Sequence, residues 1–109
     1  MTPVGWSPRS LQDLQSIKAW IAKDAPRTAA EFVSRLVLTT EAKLAALPER
    51  GRPVPEDRHR KLRQIPFGYY QIVYRIRPSG VEIAAVISAK RQFDRTTVDR
   101  ITQDLEALP

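Results

Sequence analysis

Cysteine is absent from this chain and histidine occurs once, as His59. The first absence excludes a disulfide framework and any thiolate metal site. The second argues against zinc, whose sites draw on several His or Cys ligands. No apolar run approaches the roughly 18 residues of a membrane span, and Met1-Thr-Pro-Val-Gly-Trp6 lacks the charged-then-apolar order of a signal peptide. The low hydrophobicity that marks disorder is also missing, since 42% of residues are apolar. A chain of 109 residues has room for one modest core, so residues 1–109 are expected to form a single cytoplasmic domain with no cofactor and no membrane segment.

Negative charge is the minority sign. Lys and Arg number 18 against 12 Asp and Glu, a net charge of +6. The excess is concentrated, because Arg50, Arg52, Arg58, Arg60, Lys61 and Arg63 crowd a stretch that holds only Glu49, Glu56 and Asp57. Such clustering suits an anionic partner: nucleic acid, a nucleic-acid machine or an acidic protein. A loop serving solubility alone would carry the same charges.

Pro3 to Trp6 reads as a brief first strand. Ser7-Pro8 is a helix start, with Ser able to cap free amides and Pro suited to the first helical position. Leu11, Leu14, Ile17 and Ile21 follow at helical spacing with Trp20 beside them, until Asp24-Ala-Pro26 ends the helix. A second helix opens at Pro26, carries Ala29, Val33, Leu36, Thr40, Leu44 and Leu47 as a stripe, and stops at Pro48. So short a connection predicts an antiparallel helical hairpin whose apolar face needs a sheet to cover. Pro48 to Lys61 is a proline-rich loop, longer than usual connections and hence of the kind that is often functional. Leu62 to Phe67 is a strand in which Pro66 suggests an edge or irregularity. Tyr70, Ile72, Tyr74 and Ile76 alternate with Gln71, Val73, Arg75 and Arg77, Pro78-Ser-Gly80 is a turn, and Val81, Ile83, Ala85 and Ile87 form the core face of the next strand. Apolar character on both faces of Val81 to Ile87 predicts more hydrophobic surface than the helical hairpin alone can cover. Thr96-x-x-Asp99 resembles a capping box, and Val98, Ile101, Leu105 and Leu108 then repeat as a C-terminal helix.

This β-α-α-β-β-β-α order resembles the RelE/ParE superfamily of bacterial toxins, closer to its ParE branch. Trp6-Ser7-Pro8 with Leu11-Gln-Asp-Leu14 and Ile17 resembles the family's opening strand and first helix, and Ala25-Pro26 with Ala29-Ala30 its second-helix entry. Leu47-Pro48-Glu-Arg-Gly51-Arg52 and Pro55-Glu56 are similar to the ParE-like loop, and Arg63 through Tyr70-Gln-Ile-Val-Tyr74-Arg75 to the arginine and Tyr-x-Ile-x-Tyr strands. The resemblance implies an α+β fold, with an N-terminal helical hairpin on a small, mainly antiparallel four-stranded sheet. It also implies the toxin of a type II toxin–antitoxin system, causing growth arrest and serving plasmid stabilisation. Such a toxin would bind and inhibit DNA gyrase without chemistry of its own, and a cognate acidic antitoxin would neutralise it in a hetero-oligomer. Two alternatives stand beside this: a RelE-like endoribonuclease acting on mRNA at the ribosome, and a basic nucleic-acid-binding module.

Metal-free RNA cleavage needs a base for the 2′-hydroxyl, cations for the crowded phosphate and an acid for the leaving oxygen. Arg63, Arg75 and Arg91 could supply cations and His59 a titrating group, so these four are the candidates on the nuclease reading. RelE-like nucleases usually carry a tyrosine or histidine just after the last strand, where this chain has Lys90-Arg-Gln-Phe-Asp-Arg95. Phe93 could stack on a base but transfers no proton. On the gyrase reading the target-binding set is Arg58, Arg60, Lys61, Arg63, Arg75, Lys90, Arg91 and Phe93. Structural roles compete for several residues. Trp6 and Trp20 read as core anchors and Tyr70 and Tyr74 as packing residues. Arg63 and Arg91 could form salt bridges to Glu56, Asp57 or Asp94.

Overall fold

In the computed structural model, which describes residues 1–89 and 94–108, Ser7 does what its position suggests. Its side chain accepts the Ser10 N–H at 3.1 Å and Pro8 takes the first helical position. The elements run β1 (Val4–Trp6), α1 (Pro8–Ala22), α2 (Pro26–Ala46), a 3-10 turn (Pro48–Arg50), β2 (Arg52–Pro53), β3 (Leu62–Phe67), β4 (Tyr70–Arg77), β5 (Gly80–Ser88) and α3 (Arg95–Glu106). The α+β class is as expected. The sheet has five strands rather than four, in the order β1-β5-β4-β3-β2, with β1 parallel to β5 and the other pairs antiparallel. The added strand β2 is two residues long and contains a proline, so it leaves no alternation to read. No helix among the described residues is long and apolar enough to cross a membrane.

The helical hairpin packs on one sheet face. Leu14, Ile17, Leu36 and Leu44 meet Ile65, Ile72, Tyr74 and Ile83 there. The buried row of α1 is Ser10, Leu14 and Ile17, so two residues of the predicted stripe turn outward: Leu11 is 48% exposed and Trp20 68%. Ser10 takes the sheet-facing place because its hydroxyl donates to the Ser7 carbonyl at 2.8 Å, leaving no polar group unpaired. Trp20 is therefore no core anchor; the Lys23 ammonium lies 4.8 Å from its ring. Leu47 also falls outside the core, at the α2 C-cap. Trp6 does pack against the core, with its indole N–H donating to Glu41 at 2.9 Å.

The other sheet face is covered by α3. Val98, Ile101 and Leu105 bury Leu62, Val73, Ala85 and Ile87, with Val54 from the long loop beside them. The surplus apolar surface inferred from Val81 to Ile87 is thus filled from within the chain. The alternation assigned to that strand is also corrected. Val73 pairs with Ala85 and Tyr74 with Ile83, which leaves Ala84 as a bulge. One extra residue flips the parity, so Val81, Ile83 and Val86 face the hairpin while Ala85 and Ile87 face α3. Ser7 supports the bulge by donating its hydroxyl to the Ala84 carbonyl at 3.1 Å. Helix α3 is capped by Asp94, which accepts the Thr97 N–H at 2.9 Å, two residues earlier than the Thr96 box predicted. Gly80 closes the β4–β5 turn at φ 133, where a Cβ would stand 2.6 Å from the Pro3 carbonyl oxygen.

Candidate functional site

The basic stretch folds around a buried carboxylate. Val54 N–H bonds the Leu62 carbonyl at 3.0 Å and closes the loop at its neck. Inside it Asp57, 4% exposed, accepts the His59 N–H on Oδ1 at 3.1 Å and the Lys61 and Leu62 N–H groups on Oδ2 at 2.7 and 2.8 Å. Among the described residues Asp57 forms no salt bridge with an arginine and makes three charge-assisted bonds to the loop's own backbone. The chain wraps the carboxylate from inside, so Arg58, His59, Arg60 and Lys61 are all exposed, as are Arg50 and Arg52. Arg60 sits at φ 52, the one non-glycine residue in the left-handed region among the described residues.

A second construction lies beside the loop. Arg63 on β3 and Tyr74 on β4 are direct partners across the two strands. The Tyr74 hydroxyl donates to the Pro48 carbonyl at 2.6 Å and accepts the Gly51 N–H at 2.9 Å. Arg63 Nη1 donates to the carbonyls of Gly51 at 2.8 Å and Glu49 at 3.2 Å. A Cβ on Gly51 would collide with the Tyr74 hydroxyl and lie 2.7 Å from Cε1. Burial pushes the Tyr74 phenol above its ordinary value; the Gly51 N–H and the positive charges of Arg63 and Arg50 pull it partly back.

Arg75 faces the other way. Its strand partner is Leu62 on the α3 side, its guanidinium meets Glu82 Oε1 at 2.6 and 2.7 Å, and Nη2 reaches the Leu105 carbonyl at 3.4 Å. The structure therefore brings Arg58, Arg60 and Lys61 together on one loop but separates Arg63 and Arg75 onto opposite sheet faces. His59, Lys61 and Arg75 line a cleft of about 140 Å³ beside Thr102 and Leu105. Lys90, Arg91 and Phe93 lie outside the described residues. Among the described residues no group of three or more His, Cys, Asp or Glu is placed to hold a metal ion. A further groove of about 760 Å³ runs between α1 and the far end of β4 and β5, lined by Trp20, Tyr69, Tyr70 and Val86.

Sequence reasoning missed Asp57 as the hub of the loop and the Tyr74 hydroxyl as a clamp. For Asp57 a signal existed, because an Asp followed two residues on by a free N–H is an Asx turn. For Tyr74 none did, since its two partners are 23 and 26 residues away.

Three comparisons bear on identity. The family model for the "ParE toxin of type II toxin-antitoxin system, parDE" matches residues 4–93. The curated protein called "Putative toxin Y4kP", from Sinorhizobium fredii (strain NBRC 101917 / NGR234), is 39% identical over 92 residues, which cover 83% of this chain and 91% of that one. Among solved structures, one titled for the chromosomal ParDE toxin–antitoxin system from P. aeruginosa superposes with a TM-score of 0.69 at 16% identity, covering 81% of this chain and 96% of its own. The RelBE2 toxin–antitoxin complex from Mycobacterium tuberculosis gives 0.56 at 24% identity, over 80% and 90%. The structural likenesses speak to fold, whereas the family model spans most of the sequence: the chain belongs to the ParE toxin family of type II toxin–antitoxin systems.

Proposed function

We propose that this toxin arrests growth by binding DNA gyrase and acts without chemistry of its own. The observation that carries the reading is the placement of Arg63 and Arg75. A centre that cleaves a phosphodiester must converge its cations on one phosphate. These two arginines diverge across the sheet, and each is held by protein groups, the Glu49 and Gly51 carbonyls for one and Glu82 for the other. The target-facing surface on this reading is the exposed loop of Arg58, Arg60 and Lys61, with Arg63, Lys90, Arg91 and Phe93 as the remaining candidates, while Arg75, held by Glu82, is set aside as structural. Expression of the toxin alone tests it. Growth should stop with filamentation and a DNA-damage response while translation continues; rapid loss of protein synthesis would refute it.

A cognate acidic antitoxin completes the proposal as partner in a hetero-oligomer within the cytoplasm. The exposed aromatic groove beside Trp20 and Tyr69 supports a docking segment, and the net charge of +6 supports an acidic one. Association should weaken steeply with salt. One observation favours the ribosome-dependent endoribonuclease as a second reading: His59, Lys61 and Arg75 share a cleft. Cleavage of mRNA within ribosomes, lost in His59→Ala, would move the assignment there.

A further inference from the structure

We propose that the Asp57-centred loop is a preformed site for the phosphodiester backbone of duplex DNA, so that the toxin contacts DNA directly and without gyrase. Arg58, Arg60 and Lys61 project from seven residues of chain whose backbone is fixed from within by one carboxylate. Because that carboxylate is buried and spent on amide groups, its negative charge is turned away from the surface it organises. Arg50 and Arg52, which precede the loop, are exposed as well.

Two observations point to DNA phosphates over an acidic protein. Protein interfaces rest on buried apolar or aromatic anchors. None of the exposed large apolar side chains lies between residues 50 and 61, the nearest in sequence being Leu47 and Tyr69. Phosphate contacts can be made by cations alone, which is what this loop presents at Arg58, Arg60 and Lys61, its His59 and Lys61 N–H groups being held by Asp57. The second is the Arg60 backbone. Left-handed φ suits Gly, Asn or Asp, and a long side chain held there marks a site where the side chain itself matters. The proposal rests on the gyrase reading in that the same loop faces the target there, and names DNA phosphates as what the loop meets; binding is measured without gyrase, so that either reading can fail alone.

The test is fluorescence anisotropy of the purified full chain with a labelled duplex of about 30 base pairs, from about 50 to 200 mM salt. Three to five phosphate contacts give a slope of log K against log salt between about −2.7 and −4.5. Removing Arg58, Arg60 and Lys61 together as alanines should make the slope shallower by about 2.7 and weaken binding at least tenfold. The same loss of charge at the exposed Lys18, Arg27 and Arg35 should change affinity less than threefold. Arg60→Gly should weaken binding while leaving the melting temperature equal or higher. Asp57→Asn removes a negative charge yet should weaken binding, because an amide keeps one acceptor oxygen where three N–H groups now meet two. Equal losses in the two triple variants, tighter binding by Asp57→Asn, or binding to polyglutamate but not to the duplex would each overturn the proposal.

Discussion

Tyr74 and Arg63 face each other across β4 and β3, and their polar ends close on the same turn, from Pro48 to Gly51. That turn carries the chain from the end of α2 into the arginine-rich segment. The strand pair therefore sets where Arg50 and Arg52 leave the core. Tyr74→Phe leaves the Pro48 carbonyl and Gly51 N–H without their shared partner, and should cost about 1–3 kcal/mol in urea unfolding. A change below about 0.3 kcal/mol would show that solvent replaces the hydroxyl.

The same phenol makes stability fall in alkali. Its folded pKa lies above the ordinary 10.0, so the protein binds this proton more tightly when folded. The contribution is fully present below about pH 10 and is lost as pH rises through the folded value. Unfolding measured from pH 8 upward should show a decline beginning near pH 10 that is shallower in Tyr74→Phe. Parallel curves for the two proteins would contradict the assignment.

Arg63 has two duties that substitution can separate. Arg63→Ala removes two bonds to backbone carbonyls and should lower stability by about 1–2 kcal/mol, so toxicity has to be read against matched thermal melts. If the guanidinium also meets the target, the Arg63→Ala loss of toxicity will exceed that of a destabilised control such as Tyr74→Phe. Toxicity equal to that control would confine Arg63 to structure.

Arg75 should behave as a structural residue. It is about one-fifth exposed, as is Glu82, and it also ties the end of α3 through the Leu105 carbonyl. A double-mutant cycle of Arg75→Ala with Glu82→Ala should give a coupling of about 1 kcal/mol, with loss of toxicity tracking loss of stability. Full stability with abolished toxicity in Arg75→Ala would return it to the target-binding set.

Local chemistry was legible in the sequence wherever neighbours decide structure. Ser7-Pro8, Pro26, Pro48 and Gly80 each mark the boundary they were expected to mark, and the two stripes of α1 and α2 identify the hairpin. What stayed hidden depends on residues far apart. The Ala84 bulge is invisible to a period-of-two reading because it arises from register with β4 and from Ser7, 77 residues away. Trp20 was assigned inward because its spacing allows it, but only the packed position of α1 determines which edge of the stripe meets the sheet. For the site, the sequence showed the clustered arginines of one loop, and the structure adds the buried Asp57 that organises it. The divergence of Arg63 and Arg75 could not be seen, since both strands read as candidates for one face until Leu62↔Arg75 and Arg63↔Tyr74 are paired.

The most direct test of the gyrase reading uses purified components: supercoiled DNA, gyrase and ATP, with and without the toxin, and DNA cleavage revealed by denaturing the enzyme. Toxin added in stoichiometric amounts should trap cleaved DNA on gyrase. His59→Ala should trap as much, and preincubation with the cognate antitoxin should prevent it. Unchanged cleavage at saturating toxin, with mRNA cut in a translating extract, would contradict the reading and assign the protein to the ribosome.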